Sequence, residues 1–368
     1  MKKQLLYILP YPKFFSQHSG VGGHIAHASG IVGGFVEHGF EVTVVTEENH
    51  EIFNLKGVSV RQVPCPSSAQ LRRQVWAIRL LKKLQTMMQN HSFEFCYIRY
   101  SASFAPWLPF LKNILGSVPL ILEVNSLGSQ WKTILRPLDR LALSSADRVI
   151  CISEVLKDYT TELLDKKALS KDIRVVINGV NVNRFNLNSV VLGEPNFIHV
   201  GYAGLLKPDY GIEYLIESAR LLSDEKSICF HIFGDGPQRG QLEVLGRDLE
   251  NLRFHGPIPF VHMPSYLKGL DILVYTTDKK HVFQSPTKLF EYMAVSKPIV
   301  VAKTPQTLEI LKDNETSIFY NTGDSVGLAD SIKTLAQNQE LRTRLGKKAR
   351  LEVEAKHTWF ARIDEIIS

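Results

Sequence analysis

The chain has 368 residues, 44% of them hydrophobic and 22% charged, with a formal net charge of +6. That length exceeds one ordinary core and fits two domains of about 150 to 200 residues, and the composition excludes a disordered chain. No run of about 18 apolar residues passes without a charge or a breaker, which argues against a spanning helix.

The charge is uneven. Residues 1–185 hold 22 Lys/Arg and 14 Asp/Glu, a net +8, whereas 186–368 hold 21 and 23, a net −2. A basic first half suits an anionic membrane surface, an acidic acceptor or nucleic acid. Nucleic acid is the weakest of these, because no helix-turn-helix, zinc finger or aromatic-basic sheet motif accompanies the charge. Cys65, Cys96, Cys151 and Cys229 lie far apart without CxxC spacing and read as buried thiols of a reducing compartment.

Leu5 to Leu9 reads as a first buried strand rather than a leader, since Pro10 follows and no small-residue cleavage site does. The loop Ser19-Gly20-Val21-Gly22-Gly23-His24 comes next. Gly20, Gly22 and Gly23 let it fold closely against a bound group, and the helix Ile25 to His38 would aim its first amides there. His18, His24 and His27 lack an acidic or cysteine partner at metal-ligand spacing, and one of them reads as lining a polar pocket. Strands follow at Glu41 to Thr46, Val58 to Val63, Phe95 to Arg99, Leu120 to Val124, Arg148 to Ile152 and Arg174 to Ile177, with helical stretches between them. This alternation predicts a mostly parallel sheet covered on both faces.

Two segments of this half hold candidate functional residues. In Leu71 to Leu84, Arg72, Arg73, Arg79, Lys82 and Lys83 flank an apolar stripe bearing Trp76. It suits either an amphipathic helix on anionic lipid or a sheet-covering helix with a solvated basic face. At the end of the strand after Pro119, alternation turns Glu123 and Asn125 to one side. Glu123 could stabilise a developing positive charge or handle a proton, or make a structural hydrogen bond. Arg99 ends another strand and has similar standing.

The polar segment Asn183 to Asn196 marks the domain boundary: 1–185, then 186–350, with 351–368 as a terminal helix that either crosses to the first domain or caps its own. From Phe197 the alternation restarts. Gly201-Tyr202-Ala203-Gly204-Leu205-Leu206-Lys207 follows the first strand, and Gly204 and Lys207 offer close approach and charge, although Gly201, Gly204 and Gly211 miss the GxGxxG dinucleotide spacing. The sharpest signal is Ser285-Pro286-Thr287-Lys288-Leu289-Phe290-Glu291-Tyr292-Met293-Ala294. With Ser285 as cap and Pro286 at the first helical position, the free amides of the first turn would grip phosphate oxygens and Lys288 would add charge. Glu291, one turn deeper, could accept from a ribose diol or pair with Lys288.

Together these segments resemble a GT-B fold retaining glycosyltransferase of family 4. The features that carry the resemblance are the Gly20 to Gly23 loop, Val149 to Glu154, Asn178-Gly179-Val180-Asn181 with Phe185, the Gly201 to Gly211 loop, and Ser285 to Ala294 running into Lys297-Pro298-Ile299-Val300. The resemblance implies two doubly wound Rossmann-like domains facing a cleft. It places Glu291 at the ribose of a UDP- or GDP-sugar, the amides near Leu289 and Phe290 at the diphosphate, and the first-domain glycine loop opposite. Candidate catalytic residues are Glu123, Asn125, Lys207 and Glu291, with donor contacts extended to Gly204, Ser285, Thr287 and Lys288. No metal or cofactor is implied, in keeping with the lack of a DxD pair. The acceptor would be a saccharide or lipid-linked hydroxyl in surface polysaccharide synthesis, handled by a cytoplasmic monomer or dimer, peripheral on the membrane. Phe283 stands where the family has a second glutamate, Leu205 and Tyr210 where it has Arg and Lys, and Asn125 near its histidine. Competing readings are a sugar-nucleotide epimerase or hydrolase of the same fold, or a non-catalytic partner protein.

Overall fold

The computed structural model describes residues 3–10, 23–65, 72–165, 170–193, 196–278 and 286–368. His18, Ser19, Gly20, Val21, Gly22, Leu71, Phe283 and Ser285 lie outside the described residues.

The β-branched and aromatic runs of the first half form β1 (Gln4–Ile8), β2 (Glu41–Thr46), β3 (Val58–Gln62), β4 (Phe95–Arg99), β5 (Leu120–Val124), β6 (Arg148–Cys151) and β7 (Asp172–Val175). Between them run α1 (Gly23–Glu37), α2 (Arg72–Asn90), α3 (Leu108–Leu115), α4 (Arg136–Ser145) and α5 (Glu154–Leu164). The second half comprises β8 (Ile198–Ala203), α6 (Ile212–Leu221), β9 (Ile228–Phe233), α7 (Arg239–Leu245), β10 (Leu252–Gly256), α8 (Met263–Gly269) and β11 (Ile272–Tyr275). It continues with α9 (Thr287–Ala294), β12 (Ile299–Lys303), α10 (Pro305–Ile310), β13 (Ile318–Asn321), α11 (Ser325–Gln337), α12 (Gln339–Lys356) and α13 (Trp359–Ile367).

Among the described residues the strands make two parallel sheets, ordered β3-β2-β1-β4-β5-β6-β7 and β10-β9-β8-β11-β12-β13. In each sheet the winding direction reverses once, at β1/β4 and at β8/β11. Crossovers on either side of such a point leave a crevice at the carboxyl ends of its two strands. The fold thereby sets the ends of β4, β8 and β11, with the start of α1, around one space.

Each sheet buries apolar residues on both faces, as parallel sheets do. Helix α2 buries Trp76, Ala77, Leu80, Leu84 and Met87, and the Trp76 indole N–H donates to the Val63 carbonyl at 2.9 Å. Arg73, Arg79, Lys82 and Lys83 face solvent. The lipid-lying reading of this helix is corrected: its apolar stripe covers the sheet, and a basic face is what remains outside. No helix of the described residues is long and apolar enough to cross a membrane.

Helix α12 runs unbroken through residue 350, and the chain then turns at His357 and Thr358. There Val180 bridges Thr358, with the Val180 N–H donating to the His357 carbonyl at 2.9 Å. Beyond the turn, α13 leaves the second half and packs on α1, so that Trp359, Ile363 and Ile366 join the cluster of Leu5, Tyr7 and Phe35. Gly30 and Gly34 make this possible. A Cβ at Gly30 would lie 2.0 Å from the Trp359 indole, and one at Gly34 would lie 2.7 Å from Ile363.

Candidate active site

The crevices of the two sheets meet in a cleft of about 410 Å3, within the span of small-molecule sites. The second half supplies Gly204, Leu205, Tyr210, Tyr275, Thr276, Thr277, Thr287, Lys288 and Glu291; the first supplies Gly23, His24, His27, Arg99, Asn125, Ser126 and Trp131.

Two helices point their amino ends into this space. Helix α1 begins at Gly23 and α9 at Thr287. They come so close that a Cβ on Gly23 would stand 2.7 Å from the Thr287 hydroxyl. The capping expected from the sequence shifts by one residue: Pro286 itself occupies the cap, with extended backbone and no side-chain cap bond. The Leu289 N–H donates to the Pro286 carbonyl at 3.0 Å, so it is not the free anion donor expected at that position. The side chains of Leu289 and Phe290 are fully buried in the core. Thr287 and Lys288, at the open end of the turn, face the cleft.

Lys288 sits in an aromatic box. Its ammonium donates to the Tyr202 hydroxyl at 2.7 Å and lies 4.2, 5.0 and 5.7 Å from the ring centres of Tyr202, Tyr210 and Tyr275. Burial pushes its pKa down to about 7, and the charge of Lys207 adds to the shift while Glu291 opposes it. Lys207 lies over the other lining ring, 4.6 Å from the centre of Tyr210. Gly204 is needed at the floor, because a Cβ there would stand 2.5 Å from the Lys288 nitrogen.

Glu291 faces Arg184 at 3.7 Å. Burial raises the pKa of its carboxyl, and the charges of Arg184 and Lys288 draw it back. Arg184 comes from the 3-10 turn Val182–Phe185, and its guanidinium is fixed by stacking 3.6 Å over Phe260 and donating to the Phe260 carbonyl at 2.9 Å. Neither Arg184 nor Phe260 was singled out from the sequence; the signal available was Arg184's place beside Phe185 in the Asn178 to Phe185 segment.

On the first-half wall, Glu123 and Asn125 part company. Glu123 is 1% exposed, accepts from the Tyr97 hydroxyl at 2.6 Å and meets His27 Nε2 at 2.8 Å. Burial alone would raise its pKa, but the charge and hydrogen bond of His27, with Arg99 and Tyr97, bring it down to about 2. The expectation that Glu123 works on substrate is corrected: it lies beneath the wall and anchors His27. Asn125 and Arg99 do reach the cleft, and Asn125 Oδ1 and Arg99 Nε have no hydrogen-bond partner among the described residues. Trp131 stands beside them, 72% exposed. Its loop is pinned by fully buried Asp139, which accepts from the N–H groups of Gly128 at 3.3 Å and Ser129 at 2.6 Å. Tyr159 donates to the Ser129 hydroxyl at 2.9 Å.

Two parallel Rossmann-like sheets sharing a cleft, with a helix amino end and a lysine on the second-half wall, define the GT-B glycosyltransferase architecture. Family models agree: residues 21–184 match glycosyltransferase family 4 and residues 188–352 match glycosyl transferases group 1. The chain is a GT-B glycosyltransferase related to these families. It is 22% identical over 346 residues to an uncharacterized glycosyltransferase of Methanocaldococcus jannaschii, covering 92% of this chain and 91% of that one. It is 23% identical over 240 residues to the capsular polysaccharide biosynthesis glycosyltransferase CapM of Staphylococcus aureus, covering 61% of each. Anabaena HepE, solved in complex with UDP-glucose, shares the fold with a TM-score of 0.73 at 16% identity, covering 99% of this chain and 98% of that one.

Proposed function

We propose that the enzyme transfers a sugar from a UDP- or GDP-sugar to a hydroxyl of a saccharide or lipid-linked acceptor, with retention, in surface polysaccharide synthesis. The observation that carries this reading is the second-half wall: the open amino end of α9 with Lys288 beside it, and Glu291 one turn deeper against Arg184. In this reading the diphosphate lies on the helix end, where amides and ammonium stabilise the charge that grows as the C1–O bond breaks. Glu291 accepts from the ribose diol, and the acceptor's proton passes to the departing phosphate oxygen. The HepE complex with UDP-glucose and the capsular role in CapM's name support donor class and pathway.

The acceptor lies on the opposite wall. Trp131 stacks against a sugar face, while Asn125 Oδ1 and Arg99 Nε meet its hydroxyls, which gives those buried atoms partners. Trp131 and Ile134 are exposed, with exposed Lys132 and Arg136 beside them in the chain. They suit peripheral contact with an anionic, cytoplasmic membrane face. The domain division falls near residue 186.

A panel of nucleotide sugars tested by thermal unfolding checks the donor class, because a ligand held only by the folded state at 100 times its Kd adds about 2.7 kcal/mol. At least one UDP- or GDP-sugar should raise the unfolding temperature, and Glu291→Gln should abolish turnover of it. No shift across the panel, or full turnover by the variant, overturns the reading. Trp131→Ala should raise the acceptor KM and leave donor binding unchanged.

A further inference from the structure

The second sheet carries a group of side chains that the transfer chemistry does not use. Parallel pairing of β8 with β9 sets His199 directly opposite Cys229, and His231, two residues along β9, returns to the same face. His199 Nδ1, Cys229 Sγ and His231 Nε2 converge, each of these three residues offering a ligand atom within 4.8 Å of the others. The two ring nitrogens stand 2.9 Å apart. The same face is otherwise lined by apolar groups such as Ala203, Phe233, Leu267 and Leu270.

We propose that His199, Cys229 and His231 form a binding site for a thiophilic divalent cation, with Zn2+ as the fitting ion. Two imidazoles and one thiolate are a borderline-soft set that favours Zn2+ over Mg2+ or Ca2+. The outer shell is in place too. An imidazole that ligates through one nitrogen characteristically donates its other N–H to an acceptor, and His231 Nδ1 lies 2.8 Å from His255 Nε2. Phe233 stacks on the His255 ring at 4.4 Å between centres and on the His231 ring at 6.1 Å, which fixes both planes. His199 and His231 are buried and Cys229 is half-buried, so the fourth position opens on the thiol side, where water completes a tetrahedron.

The protons balance. Without metal, one proton shared between His199 Nδ1 and His231 Nε2 holds the rings together. On binding, that proton moves to His199 Nε2, the thiol proton is released to solvent, and the cation takes the place of both. His199 precedes Gly204 by five residues, about 16 Å of strand. The ion therefore ties β8 to β9 towards the amino ends of the strands, away from the cleft, and takes no part in sugar transfer.

Co2+ is the probe, added to the full chain after chelator treatment and desalting. A thiolate-to-cobalt charge-transfer band should grow and saturate at one equivalent, and Zn2+ should displace it. Cys229→Ser, a near-isosteric change at a half-buried site, should remove the band while keeping the unfolding temperature of the metal-free protein; Cys65→Ser should keep the band. Zn2+ should also slow iodoacetamide alkylation of Cys229 at least tenfold, read by peptide mass spectrometry, and leave Cys65 unaffected. Absence of the band in the natural chain, its survival in Cys229→Ser, or unchanged alkylation of Cys229 overturns the proposal and leaves a plain hydrogen-bonded histidine ladder.

Discussion

Replacing Gly30 by alanine tests how α13 is held. The added Cβ would stand 2.0 Å from two indole atoms of Trp359, against an ordinary carbon contact of about 3.5 to 4.0 Å. The ring must therefore retreat by about 1.5 Å, and it cannot do so alone, because it makes an edge-to-face contact with His27 at 5.3 Å between centres. Overpacking of this kind costs about 1 to 3 kcal/mol, and removing a mid-helix glycine returns about 1 kcal/mol, which leaves a net loss of up to about 2 kcal/mol. In a domain of this size each kcal/mol of that loss lowers the unfolding temperature by roughly 2 to 4 °C. Gly33 supplies the control: it lies on the same helix and a Cβ there meets nothing within 4 Å, so Gly33→Ala should be neutral or stabilise by up to about 1 kcal/mol. Thermal unfolding of both variants, and of Gly30→Ala in a Trp359→Leu background where the clash is relieved, completes a double-mutant cycle. Equal unfolding temperatures for the two alanine variants, or a Gly30→Ala cost that persists undiminished in the Trp359→Leu background, would refute the steric account.

Three other outcomes are expected. On the proposed reading donor binding needs Lys288 charged, and its pKa in the free enzyme is about 7; affinity should then fall as pH rises above that value, with proton uptake on binding at pH 8 measured by calorimetry in buffers of different ionisation enthalpy. Arg184→Lys loses the planar stack on Phe260 that fixes Glu291, so the donor KM should rise about tenfold with little change in kcat, and steady-state kinetics with an unchanged KM would remove Arg184 from the site. Glu123 is depressed from 4.5 to about 2, so the stability it contributes, about 3 kcal/mol, is present above pH 4.5 and lost as pH falls towards 2. Denaturation of Glu123→Gln should show that loss at neutral pH and a flatter acid limb.

The periodic elements are legible because their patterns are strong. The strands of the first half, separated by helices, can be read close to their observed bounds, as with Glu41–Thr46 and Phe95–Arg99. Short amphipathic pieces such as Leu108–Leu115 and Pro305–Ile310 escape such a reading, since too few turns carry a period. At the site, sequence order exposes what lies along one helix, hence Lys288 and Glu291, but not what folds against them. Arg184 stands 107 positions from Glu291 and meets it only in three dimensions. Glu123 shows the converse: alternation gives its side correctly but not its depth, and α1 laid over that side puts His27 between the carboxylate and the cleft. Trp76 misleads for a similar reason, because an apolar stripe beside basic residues looks the same whether a sheet or a lipid covers it.

The crossing of α13 also bears on the order of events during synthesis. The floor of the first half, where Leu5, Tyr7 and Phe35 lie, is closed by Trp359, Ile363 and Ile366. Those residues leave the ribosome only after the entire second half has been made. The first half must therefore wait, with an apolar groove along α1 uncovered, while about 180 further residues emerge and fold. Whatever shields that groove in the interval, the two halves cannot mature as independent units. The segment that completes the first half is delivered by the second.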